Sequence, residues 1–473
     1  MPQNDRHLSR RDVLKSSCAS GTLLGIGLAG TGAGRADHED TSACGPETAL
    51  QGQVPLRQQL SGRSADGYCN GMRLVGQNTI EDRGANFQMA WSGDYAYVGT
   101  IGQARSDGSR PRVERPEDDL WGVAVIDASD PTNPQVRGIL QSPACWNAWE
   151  AIEVNERRNL LLISGTTQYL DVFDISNPGN PQLKASLDLP IVSHGLRPAP
   201  DGRTAYVSDD GLVAIDLSNP ARPEVIDTWQ EFSIHNIDVS QDGTLVYCAS
   251  RGEGLVIVDV SDFQNRRFNP EFRVVSQLRY IDHSHTAREI RIDGRRYLLM
   301  QDEMDRDRSP APRESFWAGC PWGHARIIDV TNEEVPRQVS EFKLDVNDPA
   351  HCEQTQKDVS TSPGLLPSLM FYSSHFCGYD DRSDASTAFF SWYASGLRVA
   401  DIQDPANPTE IAYYNPPPNP NTKYRAYSPW SAVDHLLDAT TSYVRYRPET
   451  GNVWFTSVAN GFQIAEFTED VPR

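Results

Sequence analysis

The chain predicts an all-β protein: a seven-bladed β-propeller whose ring is closed by an N-terminal strand pairing with the last blade. Three observations carry this expectation. First, one strand and its turn recur as GVAVIDASDPTNP from Gly122, YLDVFDISNPGNP from Tyr169, GLVAIDLSNPARP from Gly211, GLVIVDVSD from Gly254, ARIIDVTNEEVP from Ala325 and GLRVADIQDPANP from Gly396. Aliphatic and β-branched residues suit a buried pleated strand, and Asn-Pro and Asp-Pro punctuate turns. Second, each copy sits in a unit of about 40 residues with four short strands, the period of a propeller blade. Third, the last unit stops one strand short, while GMRLVGQN, from Gly71, reads as a fourth strand with no unit before it. Joining the two leaves no open sheet edge.

The units follow in order. Blade one holds ANFQMAWSGDYAYVGT and WGVAVIDASDP, and blade two EAIEVNERRNLLLISG and YLDVFDISNP. Blade three holds HGLRPAPDGRTAYVSD and GLVAIDLSNP, and blade four HNIDVSQDG, TLVYCAS and GLVIVDVSD. Blade five holds HTAREIRIDGRRYLLMQDE and, after an insertion, HARIIDV. Blade six holds SLMFYSSHFCGYDDR, STAFFSWYAS and GLRVADIQDP, and blade seven TSYVRYRPETGNVWFTSV and GFQIAEF. The signature aspartates Asp127, Asp174, Asp216, Asp259, Asp329 and Asp401 fall where a carboxylate caps a turn by bonding backbone N–H groups, rather than at calcium-ligand spacing.

The repeated GL-V-IVDVSDP strand resembles the LVIVD repeat of exported bacterial and archaeal proteins. The resemblance spans roughly Asn70 to Arg473 and implies a seven-bladed propeller in one domain, 70–473. It implies no activity, because one fold hosts many functions.

Lys and Arg total 43 against 64 Asp and Glu, a formal charge of −21. This excludes nucleic acid as a partner, since phosphate binding needs a basic footprint. The start of the chain, with Arg10-Arg11 followed by SSCASGTLLGIGLAGTGAG, reads as a twin-arginine export signal over residues 1–36. Residues 37–69 are expected to be a partly flexible extension. The expected location is periplasmic, cell-surface or secreted, and no segment is long and apolar enough to span a bilayer. Of the cysteines after the signal, Cys248 in TLVYCAS reads as a buried free thiol.

The candidate site comes from repeat phase. His194, His235, His285 and His375 each open, or nearly open, the innermost segment of a blade. Glu150 takes that place in blade two, Ala85 or Asn86 in blade one, and Ser442 or Tyr443 in blade seven. Residues equivalent by repeat become neighbours around the propeller axis, so four imidazoles and a carboxylate are expected at one end of the channel. Imidazoles suit copper, iron or zinc, and an open position beside them suits catalysis. Glu150 is expected to be the base or a further ligand. His283, His351 and His435 are outlying candidates, and His324 reads as structural. Asp302 and Glu303 follow a second strand, a position that can reach the channel face as acid and base, but they read first as a solvated acidic loop. Two functions follow: a metalloenzyme oxidising or hydrolysing a small molecule, or a surface scaffold binding extracellular protein or glycan through the loops Met304–Gly323 and YYNPPPNPNTKYRAYSPW.

Overall fold

The computed structural model describes residues 67–101, 119–279, 283–304, 321–353, 372–417, 419, 421–422 and 441–468. The expected signal, Cys44, Cys320, His435, most of the blade-five insertion and most of the proline-rich loop lie outside them.

The described residues form seven antiparallel sheets, one per blade, each of four strands except a five-stranded blade six. Blade four is typical: Ile234–Val239, Leu245–Ser250, Gly254–Asp259 and Arg273–Leu278 pair in chain order. Each inner strand touches the inner strand of the next blade, and blade seven's touches blade one's, so the blades make a ring. In blade seven the outer strand is Met72–Asn78, which pairs with Gly461–Phe467 so that Met72 faces Phe467 and Asn78 faces Phe462. The preceding strand, Tyr68–Asn70, is the fifth strand of blade six, so Tyr68 and Cys69 of the expected extension lie in a sheet.

The core lies between blades. Leu162 and Val172 of blade two pack with Val207, Val213 and Ile215 of blade three. Tyr247 and Ile257 of blade four pack with Leu298, Met300 and Ile328 of blade five. Val98 and Ile126 of blade one pack with Trp454, Phe462 and Ile464 of blade seven. The signature strand is apolar along its length because a neighbouring blade covers each of its faces; Gly254 to Val258 are all buried. Each such Val, Ile or Leu contributes about 1.5–3 kcal/mol.

The glycine opening the signature strand has a steric reason. Gly461 has φ +76°, and a Cβ there would lie 2.3 Å from the Asn78 carbonyl oxygen of the closing strand. The signature aspartates do what their phase requires. Asp127, Asp174, Asp216, Asp259, Asp329 and Asp401 each accept a hydrogen bond from the backbone N–H two residues on, at 2.8–3.0 Å. The recurring acid is a turn device. Cys248 is a buried free thiol, as are Cys145 and Cys377, whereas Cys69 and Cys352 are disulfide-bonded.

Candidate metal centre

Three of the candidate ligands, His235, His285 and His375, sit where the inner strands bulge, whereas Glu150 and His194 lie just before the inner strands Ile152–Asn155 and Gly195–Pro198. The pairing register slips between Ile234 and Asn236, skipping His235, and between Ser284 and Thr286, skipping His285. It slips again between Ser374 and Cys377, around His375, and between Thr441 and Tyr443, skipping Ser442. In blade one the slip lies between Asn86 and Met89. A bulge adds an unpaired residue and re-aims its side chain. Here the added residue faces the channel.

The bulges are tied to one another. His285 Nδ1 lies 2.9 Å from the His375 carbonyl oxygen and 2.7 Å from Thr286 Oγ1. His375 Nδ1 lies 2.5 Å from the Ser442 carbonyl oxygen, and Ser442 Oγ donates to the Phe87 carbonyl at 3.1 Å. A carbonyl only accepts, so Nδ1 of His285 and of His375 carries the hydrogen. That leaves Nε2 of each as the nitrogen directed at Glu150.

Glu150 is the hub. Its Oε1 lies 3.0 Å from His375 Nε2, and its Oε2 lies 3.1 Å from His285 Nε2, 3.8 Å from His235 Nδ1 and 3.9 Å from His194 Nε2. The imidazoles follow one another around the wall, with ring centroids 4.2, 4.2 and 4.1 Å apart from His194 through His235 and His285 to His375. Three sets of ligand atoms converge closely enough to hold an ion: Glu150 with His194 and His235, Glu150 with His285 and His375, and Glu303 with His235 and His285. Ligand atoms about 3.0 Å apart suit bonds of roughly 2.0–2.2 Å at near a right angle to one ion. The donor set therefore fits a transition metal.

Burial shapes the charges. Glu150, His235, His285 and His375 are buried, whereas the His194 side chain is 14% exposed beneath Trp149, whose ring lies 5.0 Å away. Burial alone would raise the Glu150 carboxyl, but His285, His375 and His194 more than offset it and hold it well below the usual range. Burial lowers His194 and, with the neighbouring His285, lowers His375. Burial works against a proton on His285 too, but Glu150 and Glu303 raise it above the ordinary value. The surroundings thus favour the charged form of Glu150 and of His285 and the neutral form of His194 and His375, and a metal would displace the His285 proton.

All five expected site residues converge. In blade one the structure replaces the expectation: Phe87, rather than Ala85 or Asn86, meets the layer, its ring 5.1 Å from His375. Ser442 occupies the blade-seven place through its carbonyl. The solvated-loop expectation for Asp302 and Glu303 is corrected, because both are buried. Their strand, Arg295–Met304, runs on into the channel wall. Asp302 pairs with buried Arg326 at 2.5 Å, whereas Glu303 Oε2 comes within 3.7 Å of His235 Nε2. Tyr393 is a participant with no sequence signal: its ring packs against His375, tilted by 32° with centroids 4.4 Å apart, and its hydroxyl donates to Glu303 Oε1 at 2.9 Å. His351 turns to its own loop, Nδ1 lying 2.6 Å from the Asp345 carbonyl. His324 is buried 3.4 Å from Glu341, outside the cluster.

A ring of seven antiparallel blades around a channel defines a β-propeller. The chain carries the LVIVD repeat, which matches residues 161–188, 202–229 and 235–265, in blades two to four, as in a protein of the LVIVD-repeat family. Among solved structures the chain is similar to the β-propeller domain of Myceliophteria thermophila Cps50 (Swd1). The TM-score is 0.52 and the identity 11%, over 84% of this chain and 100% of that one. At that identity the likeness concerns the fold alone. No curated protein matches the chain.

Proposed function

We propose that the chain is an exported metalloenzyme with a transition metal (copper, iron or zinc) at one end of the propeller channel, acting on a small molecule by oxidation or metal-assisted hydrolysis. One observation carries the reading: His285 and His375 spend Nδ1 on backbone carbonyls, so their Nε2 atoms converge on a buried carboxylate. Outer hydrogen bonds of this kind fix metal-ligating imidazoles. His194, His235, His285 and His375 supply the ligands, and Glu150 is a further ligand or the base. Burying two carboxylates among four imidazoles is costly unless they are paired or bind an ion, which favours a functional role over a merely structural one.

When bound, the metal supplies Lewis acidity or electron transfer. The chain's own groups do the rest. Partly exposed His194, with Trp149 over it, marks the approach for a small molecule. Glu303 holds the Tyr393 hydroxyl and so fixes the ring against His375. Export is supported by the twin-arginine start and by the disulfide-bonded Cys69 and Cys352, since disulfides persist in oxidising compartments.

The competing reading is a surface scaffold, which needs a closed ring but no convergent ligands. Calorimetric titration of metal-stripped full-length protein with Cu²⁺, Fe²⁺ and Zn²⁺ separates the two. One-to-one binding of at least one ion, weakened in His285→Ala, is expected. A chain that binds none above the level of exposed carboxylates is a scaffold.

A further inference from the structure

Three residues past the histidine layer, the inner strands present a second layer of different chemistry. Glu150 is followed by Glu153, His194 by Arg197, His235 by Asp238, His285 by Arg288 and Ser442 by Arg445. In a regular strand a step of three changes face, but in blades four, five and seven the bulge adds one residue and restores it. The second layer lies roughly 7–10 Å further along the channel at the strand rise. There it lines a cavity of ≈ 380 Å³ that also takes in Arg382, a size suited to a small molecule.

The arginines are only partly satisfied. Arg197 pairs with Glu153 and, at 3.4 Å, with Asp238. Arg382 pairs with Asp238 at 3.2 Å, and Arg445 with Glu153 at 3.2 Å. Arg288, 2% exposed, has no carboxylate within ion-pair distance among the described residues; its Nη1 donates to Asn236 Oδ1 and to the carbonyls of Ile237 and Ala287. Arg288 Nε and Nη2, Arg197 Nη2 and Arg445 Nε are buried without a hydrogen-bond partner. Unpaired donors of this kind are expensive where nothing fills the gap. A cluster of cations is also out of keeping with a chain of charge −21.

We infer that this arginine-lined end of the channel binds a small oxyanion, a carboxylate- or phosphate-bearing molecule, with Arg288 as its principal fork. A guanidinium presents paired N–H donors that match either group. Glu153 and Asp238 hold the flanking arginines in place and leave Arg288 for the ligand. The neighbouring Tyr443 reports the field: burial raises its phenol, but Arg445, Arg197 and Arg288 more than offset this and bring it down to about 7. The site stands whether or not the histidine end holds a metal.

The test is calorimetric titration of the full-length protein with inorganic phosphate and, separately, with succinate, each against sodium chloride of matched ionic strength. Saturable one-to-one binding of at least one of them is expected, weakened roughly tenfold or more in Arg288→Gln. Which of the two binds decides between phosphate and carboxylate. Should Arg288→Gln lose its fold by circular dichroism, Arg288→Lys keeps the charge but not the fork and is expected to bind severalfold more weakly. Binding no tighter than chloride, or unchanged affinity in the folded Arg288 variant, overturns the inference.

Discussion

Glu150 Oε1 lies 3.0 Å from His375 Nε2, although 225 residues separate them in the chain. The ring brings blades two and six to opposite walls of one narrow channel, and the carboxylate spans to the far imidazole. Glu150 also faces His194, His235 and His285. Its replacement by Gln keeps the shape and removes the charge. Metal affinity is expected to fall at least about tenfold, and stability by roughly 3–5 kcal/mol because the buried imidazoles lose their carboxylate partner. Competition titration against a chelator and urea unfolding of the metal-free protein check the two effects.

Trp149 covers His194, the partly exposed imidazole of the four. Trp149→Ala is expected to open this approach. The rate at which a chelator strips metal from the loaded protein should rise severalfold, with equilibrium affinity changed far less. Equal stripping rates in both proteins would place the approach elsewhere.

Tyr443 is held down to about 7 against burial by Arg445, Arg197 and Arg288, with a hydrogen bond from Gln88. An unfolded tyrosine titrates near 10. Between the two values the unfolded chain binds the extra proton, so this group makes the fold more stable as pH rises from about 7 to about 10. Tyrosinate absorbance is expected to show one group titrating near neutrality, absent in Tyr443→Phe. The variant should also lose that part of the rise in stability with pH.

Gly461 meets the closing strand, with φ +76° and no room for a Cβ against the Asn78 carbonyl. Gly461→Ala is expected to cost roughly 1–3 kcal/mol through strain at this seam. Thermal unfolding measures it. A neutral change would mean that the seam yields without cost.

The blades were legible because the repeat is covalent. Each copy of the signature strand carries its own turn acid, and Asp259 and Asp401 bond the chain two residues on as their phase requires. Four histidines and Glu150 were legible for the same reason, since repeat phase is position around the axis. What phase alone could not give is the bulge. The extra residue in blade one moves the channel position from Asn86 to Phe87, and those in blades five and seven make Arg288 and Arg445 share the channel with the histidines. Asp302 and Glu303 read as an acidic loop because they follow a second strand; burial against Arg326 takes Asp302 and leaves Glu303 to the site. Tyr393 lies on a 3-10 turn, Tyr393–Ser395, just past the end of its strand Thr387–Trp392, so strand phase does not announce it.

The central claim is that the histidine end of the channel holds a transition metal. Elemental analysis of the native protein, purified without added metal and compared with folded His235→Ala and His375→Ala, tests it most directly. Near-stoichiometric copper, iron or zinc, lost in both variants, is the predicted result. Metal-free protein, or metal retained in full by both variants, would contradict the account.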